Sequence, residues 1–199
     1  MIERLNSLGE HIAGGDTAKA FELLAEYQSQ LHPPFDAFRP LGELDIGLEL
    51  EDPARIDSAA QACEVVIERF SYEFLRPTVA YARGQAHYLR GEFREALAAW
   101  EELRRLNPAD PTVPRQLGQA YRGLREFGRA EEALEEARRR RPADPRTLYE
   151  LALLADARGR RDRAVEHLRA ALEVWTDADP AYKWARRARE KLAQLERGR

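Results

Sequence analysis

The sequence has little of what usually holds small proteins and reactive sites together. It contains one cysteine, Cys63, in 199 residues. An intramolecular disulfide is excluded, and no cysteine cluster can hold zinc. No apolar run approaches the roughly 18 residues that cross a bilayer as a helix, so no membrane insertion is expected. The opening MIERLNSLGEHIAGGD lacks the basic and apolar regions of a secretory signal, and the expected location is cytoplasmic. The four histidines, His11, His32, His87 and His167, show no metal-ligand spacing such as H-x-x-x-H. No G-x-S-x-G occurs, so no nucleophile elbow is suggested. The glycine-spaced GQAYRGLREFG (118–128) is not followed by the Lys-Ser/Thr pair of a phosphate loop. The expectation is a protein that is not an enzyme, with no cofactor, no metal and no catalytic residue.

Lysine is also scarce, with three lysines against 29 arginines, a bias that fits base composition better than function. What is abundant is apolar and charged residues, at 44% and 34%. The chain can bury a core under a heavily charged surface. The net charge of -3 hides a split. Residues 1–76 carry 6 basic and 15 acidic side chains, and residues 77–199 carry 26 and 20. Opposite signs at the two ends could steer a charged partner or favour head-to-tail association. Uneven surface drift would give the same numbers.

The stretch GEFREALAAWEELRRLNPADP (91–111) returns 34 residues on as REFGRAEEALEEARRRRPADP (125–145). It returns a further 34 on as GRRDRAVEHLRAALEVWTDADP (159–180). Ala-Asp-Pro punctuates all three, at 109–111, 143–145 and 178–180. In each, Asp can cap a helix whose first turn accepts the proline. A 34-residue period of two short helices reads as a solenoid. Further upstream, LGELDIGLELED (41–52) alternates apolar residues as a strand would, yet the repeat register argues for a helix.

These residues resemble the tetratricopeptide repeat, whose pattern is W-x2-L-G-x2-Y, then A-x3-F, then P. Residues 111–144 supply Leu117-Gly118, Tyr121, Ala130, Leu134, Ala137 and Pro142. Residues 77–110 supply Gly84, Ala96, Trp100 and Pro108. Residues 145–178 supply Leu148, Leu151-Ala152, Ala164, Leu168 and Ala171, with Thr176 in place of the closing proline. The resemblance weakens over two earlier hairpins, 2–34 and 40–73, and about three extra residues follow near SYEFLRP (71–77). It implies an all-α fold, a right-handed α-solenoid of about five helix-turn-helix hairpins, forming one domain over 1–199. A capping helix is expected over 180–197. It also implies that Gly84 and Gly118 face the second helix of their own hairpin. Ala96, Ala130 and Ala164 face back, and Trp100, Leu134 and Leu168 fill the space between hairpins. Cys63 falls in the slot of Trp100, as a buried thiol.

In this family the first helix of each hairpin lines a concave groove that commonly takes a peptide or helix. Carried over, the groove positions are Leu41, Leu44 and Leu48, then Tyr81, Gln85 and Tyr88. They continue with Arg115, Gln119 and Arg122, then Arg146, Tyr149, Leu153 and Asp156, while Asn6 and Glu10 belong to the first hairpin. Read in order, the groove changes from apolar to aromatic to basic. The expected partner is another protein, through a peptide or helix with apolar anchors toward Leu44 and carboxylates toward the arginines. The alternative is that the leucines pack on the first hairpin and the arginines pair with Glu126 or Asp156. The chaperone-binding members use a Lys/Asn/Arg clamp, which is not matched: Tyr81, Gln85 and Gln116 stand in its places, and Glu150 replaces a cation.

Two other readings remain. A homo-oligomer is possible, built by end-to-end stacking of the oppositely charged ends. Nucleic acid is the third, through RRRR (138–141), RGRRDR (158–163) and RRAREK (186–191), but glutamates interleave most of these helices. Arg138 and Arg140, which stand where the next unit has Leu172 and Val174, form either a solvated helix end or an acidic docking patch.

Overall fold

The computed structural model describes residues 38–178 and 182–197, with Leu23 and Glu26 standing alone before them. The expected hairpin at 2–34, with Asn6 and Glu10, lies outside the described residues. So do Asp179 and the start of the capping segment at Pro180. Among the described residues there are α-helices and short 3-10 turns, and no strand. The helices are α1 (Arg39–Leu50), α2 (Pro53–Phe70), α3 (Arg76–Arg90), α4 (Phe93–Leu106), α5 (Val113–Gly123), α6 (Phe127–Arg140), α7 (Pro145–Ala157), α8 (Arg161–Val174) and α9 (Lys183–Arg197). None is long and apolar enough to cross a membrane. Two compact units divide after Pro108.

In the first unit α1 pairs with α2 and α3 with α4, and α2 packs on α3. The segment whose alternation suggests a strand is helix α1. Pro40 sits in its first turn, and Leu44, Ile46 and Gly47 are buried. Gly47 lets α2 approach closely, since an added Cβ would lie 3.0 Å from the Ile56 amide nitrogen. Asp52 then caps α2, accepting hydrogen bonds from the Ala54 and Arg55 amides at 3.0 and 3.1 Å. Leu44, Ile56, Ala59, Cys63, Ile67, Val79 and Ala82 share one core. Burial, with the charges of Asp45 and Glu64 adding to it, pushes the Cys63 thiol up to about 11, so it stays protonated and packs as a small apolar group.

The α3–α4 hairpin closes on Gly84. The Trp100 indole, wholly buried, lies where a Cβ on Gly84 would be. Its Nε1 donates to the Tyr81 carbonyl at 3.2 Å. Trp100 thus fills the inside of its own hairpin. In the second unit Gly118 and Leu134 repeat the arrangement, with Leu134 Cγ 2.6 Å from the site of an added Cβ. The counterparts one period later are Ala152 and Leu168, both buried in the same cluster.

The second unit holds the hairpins α5–α6 and α7–α8, with α9 against α8. The Ala-Asp-Pro punctuation acts differently in its two described copies. Asp144 caps α7, accepting from the Thr147 amide at 3.2 Å and the Thr147 hydroxyl at 2.6 Å. Asp110 does not cap a helix directly. It accepts from the amide and hydroxyl of Thr112 at 2.8 and 2.7 Å, and α5 begins only at Val113. Pro114 sits in the first turn of α5, where its missing N–H costs no helical bond.

The turns between first and second helices share a further 34-residue period. Gly91 and Gly159 adopt the left-handed backbone there, with φ of 78° and 69°, and Arg125 does so at 62°. A left-handed residue with a side chain costs about 1–2 kcal/mol, part of which glycine returns as entropy in the unfolded chain. Arg125→Gly is therefore expected to stabilise the second unit by about 0.5–1 kcal/mol. A urea midpoint unchanged or lowered would show that the Arg125 contact with the Phe127 ring, at 5.8 Å, outweighs the backbone strain.

Candidate functional site

The leucine positions of α1 are not open anchors. Leu44 is wholly buried, and Leu41 and Leu48 pack half-buried against the same core. On α3, Tyr81, Gln85 and Tyr88 are half-buried. Tyr88 is drawn inward by two rings, with Phe93 and Trp100 each 5.7 Å away. The first unit thus offers a shallow aromatic face on α3, with its leucines turned into the hairpin.

The basic positions of the second unit are bound to the chain's own carboxylates. Arg115 is 4% exposed and donates to Asp144 at 2.8 Å. Arg122 reaches Glu150 at 3.0 Å, and Gln119 donates to the other Glu150 oxygen at 2.8 Å. Glu150 is 3% exposed. These bonds tie α5 to α7. Burial works to raise the Asp144 pKa, but the Thr147 hydrogen bonds and the Arg115 charge outweigh it and hold the carboxyl below the ordinary aspartate range. The arginines therefore do pair internally, though with Asp144 and Glu150 rather than with Glu126 or Asp156. Glu126 pairs with Arg129 at 2.8 Å, and Asp156 with Lys191 at 2.6 Å. An acidic partner cannot reach Arg115 without opening this pair.

Arg146 differs. Its guanidinium lies 4.3 Å from the centre of the Trp184 ring on α9. It has no carboxylate partner among the described residues, and its Nε has no hydrogen-bond partner. Arg187 and Lys183 stand over the same ring at 5.1 and 5.9 Å. Tyr149, nearly buried, meets Trp184 edge-on at 6.0 Å, and burial raises its pKa, with Glu150 adding to the effect. Leu153 packs half-buried against the surrounding cluster. The face shared by α7 and α9 is thus a half-buried indole ringed by three cations. Trp184 and Arg187 were not among the groove positions read from the sequence, because the repeat pattern supplies no partner for a terminal first-type helix.

At the C-terminus of α6, Arg138 pairs with Glu135 at 2.8 Å and Arg140 with Glu136 at 2.6 Å. Two of the four arginines of that exposed run are thus matched along their own helix. No three His, Cys, Asp or Glu side chains converge as a metal site among the described residues.

The helical hairpins and their glycine-to-large-residue contacts define a repeat protein of the class that stacks antiparallel helix pairs. Tetratricopeptide repeat models match residues 77–110 and residues 115–182, together more than half of the sequence. The chain belongs to the tetratricopeptide repeat family, whose fold is a protein-interaction module. Solved structures agree on the fold. BtubC from P. vanneervenii is similar with a TM-score of 0.61 at 14% identity, over 96% of this chain and 83% of that one. A chain of the Cut9–Hcn1 hetero-tetramer of APC/C gives 0.58 at 18% identity, over 91% of this chain and 35% of that one. MamA from Desulfovibrio magneticus RS-1 gives 0.53 at 19% identity, over 88% and 95%. No curated protein matches the sequence.

Proposed function

We propose that the chain is a non-enzymatic cytoplasmic scaffold or adaptor that holds a peptide or helix of another protein along the first helices of its hairpins. The observation that carries this reading is the Trp184 surface, where an indole is ringed by Arg146, Arg187 and Lys183. Such a surface suits an apolar side chain lying beside a carboxylate. The expectation of an acidic partner is kept, but its charge contact moves from Arg115 and Arg122 to Arg146. Nucleic acid is the weaker reading, because Arg138 and Arg140 are matched along their own helix by glutamates.

A displayed random-peptide library selected on the full chain tests this. Wild type is expected to enrich peptides carrying an Asp or Glu next to an apolar residue. Arg146→Glu is expected to weaken the enriched peptides about tenfold, about 1.4 kcal/mol. Equal binding by the variant, or enrichment without carboxylates, would sink the proposal.

A further inference from the structure

Five large apolar side chains stand exposed among the described residues, and three of them, Val65, Phe70 and Phe74, fall within one stretch of ten. Phe74 is 65% exposed and Val65 59%. The aromatic members form a ladder on the surface of the first unit. Phe38 stacks on Tyr72 at 5.7 Å, Phe70 on Tyr72 at 5.5 Å, and Tyr72 meets Phe74 at 5.5 Å. The Arg69 guanidinium already lies 5.3 Å from the Phe70 ring. Two of the ladder's four rings, Tyr72 and Phe74, lie in SYEFLRP, near which about three extra residues lengthen the link from α2 to α3. Within Ser71–Leu75 the core takes Leu75, which is buried, and one side of Tyr72, which packs half-buried against it, while Phe74 stands out into solvent. A contiguous aromatic patch left in water marks a surface that something covers.

Charge indicates what covers it. Residues 39–76 carry nine acidic and four basic side chains; Glu43, Asp57, Glu64 and Glu73 are paired with arginines, while Glu68, two residues before Phe70, is exposed with no partner among the described residues. Helix α9 carries six basic and two acidic ones. On the outer side of α9, Arg189 is exposed and has no partner among the described residues. We propose that the aromatic ladder and its acidic flank receive helix α9 of a second copy of this chain, head to tail. Guanidinium groups lie over the ring faces, as Arg69 does already, and the flanking carboxylates meet the remaining positive charge. The two surfaces differ, so the contact is heterologous, and copies add end on until a ring closes or a filament grows. The ladder residues and Arg189 take no part in the proposed peptide surface, so either reading can fail alone.

Sedimentation velocity on the full chain over a concentration series, at about 0.05 M and about 0.5 M salt, tests the pairing. Wild type is expected to form species larger than the monomer at low salt and to lose them at high salt. Phe74→Ser and Arg189→Glu, both at exposed positions, are each expected to weaken association about tenfold with helix content unchanged. Mixed together, each variant still offers one intact surface. The mixture is expected to give one-to-one pairs and nothing larger. A wild type that stays monomeric would overturn the proposal. So would variants that associate as wild type does, or a mixture that stays monomeric while wild type assembles.

Discussion

Trp100→Ala is expected to destabilise the first unit by about 3–5 kcal/mol, the range for removing a large buried aromatic. The indole is wholly buried, fills the site above Gly84 and donates to the Tyr81 carbonyl. Its loss leaves a cavity and removes the indole's hydrogen bond together. The same contact can be attacked from the other side. Gly84→Ala gains helix propensity of about 1 kcal/mol, but its Cβ would overlap a rigid ring, and overpacking typically costs about 1–3 kcal/mol or more. The net effect is expected to be destabilising. The two changes should not add. Ala152 with Leu168 is the same pair two periods on, so Gly84→Ala combined with Trp100→Leu is expected to be more stable than the two single losses imply. Urea titrations of the four proteins of this cycle measure the coupling, and hydrogen exchange places the loss in α3 and α4. Strict additivity would show that Trp100 is held by something other than Gly84.

Asp144→Ala is expected to cost about 3–5 kcal/mol, because it leaves Arg115 buried without its counter-charge and removes the cap of α7. Asp144→Asn keeps most of the shape and separates the charge from the cap. The folded pKa of Asp144 lies below its unfolded value. Its contribution is therefore complete above the unfolded value, about pH 4, and is lost as pH falls through the folded one. Wild type should exceed Asp144→Asn by a constant margin between about pH 5 and pH 8, with the margin shrinking below about pH 4. A margin that persists undiminished into acid would mean that the Thr147 hydrogen bonds, not the ion pair, carry the effect.

The hairpins were legible because their constraints are local and periodic. A missing Cβ at Gly84 or Gly118 must meet a large side chain 16 residues on, and the sequence displays both partners. Helix α1 was legible only through register, since alternation of Leu44, Ile46, Leu48 and Leu50 taken alone points to a strand. The groove was less readable. The fate of Arg115 and Arg122 depends on which carboxylates α7 presents across the hairpin junction, 28–29 residues away. The sequence did hold one signal. Glu150 stands where a chaperone clamp would have a cation, and that mismatch is the acceptor for Arg122 and Gln119. The leucines of α1 illustrate the same limit: one face of a helix reads as apolar whether it meets a partner or its own hairpin.

The ties between α5 and α7 also bear on how a chain like this can lengthen. Repeat arrays grow when a segment encoding one repeat is copied in tandem. A copy of residues 111–144 inserted after Asp144 would bring the counterpart of Gln116 to the place of Glu150. Arg122 and Gln119 of the first copy would then face an amide instead of a carboxylate. Leu134 against Gly118 would tolerate such copying, because each hairpin brings both halves of that contact. The charged junction would not, because its halves are inherited from different repeats. Apolar contacts leave the modules interchangeable, whereas the buried carboxylates turn two of them into keyed neighbours with a fixed order.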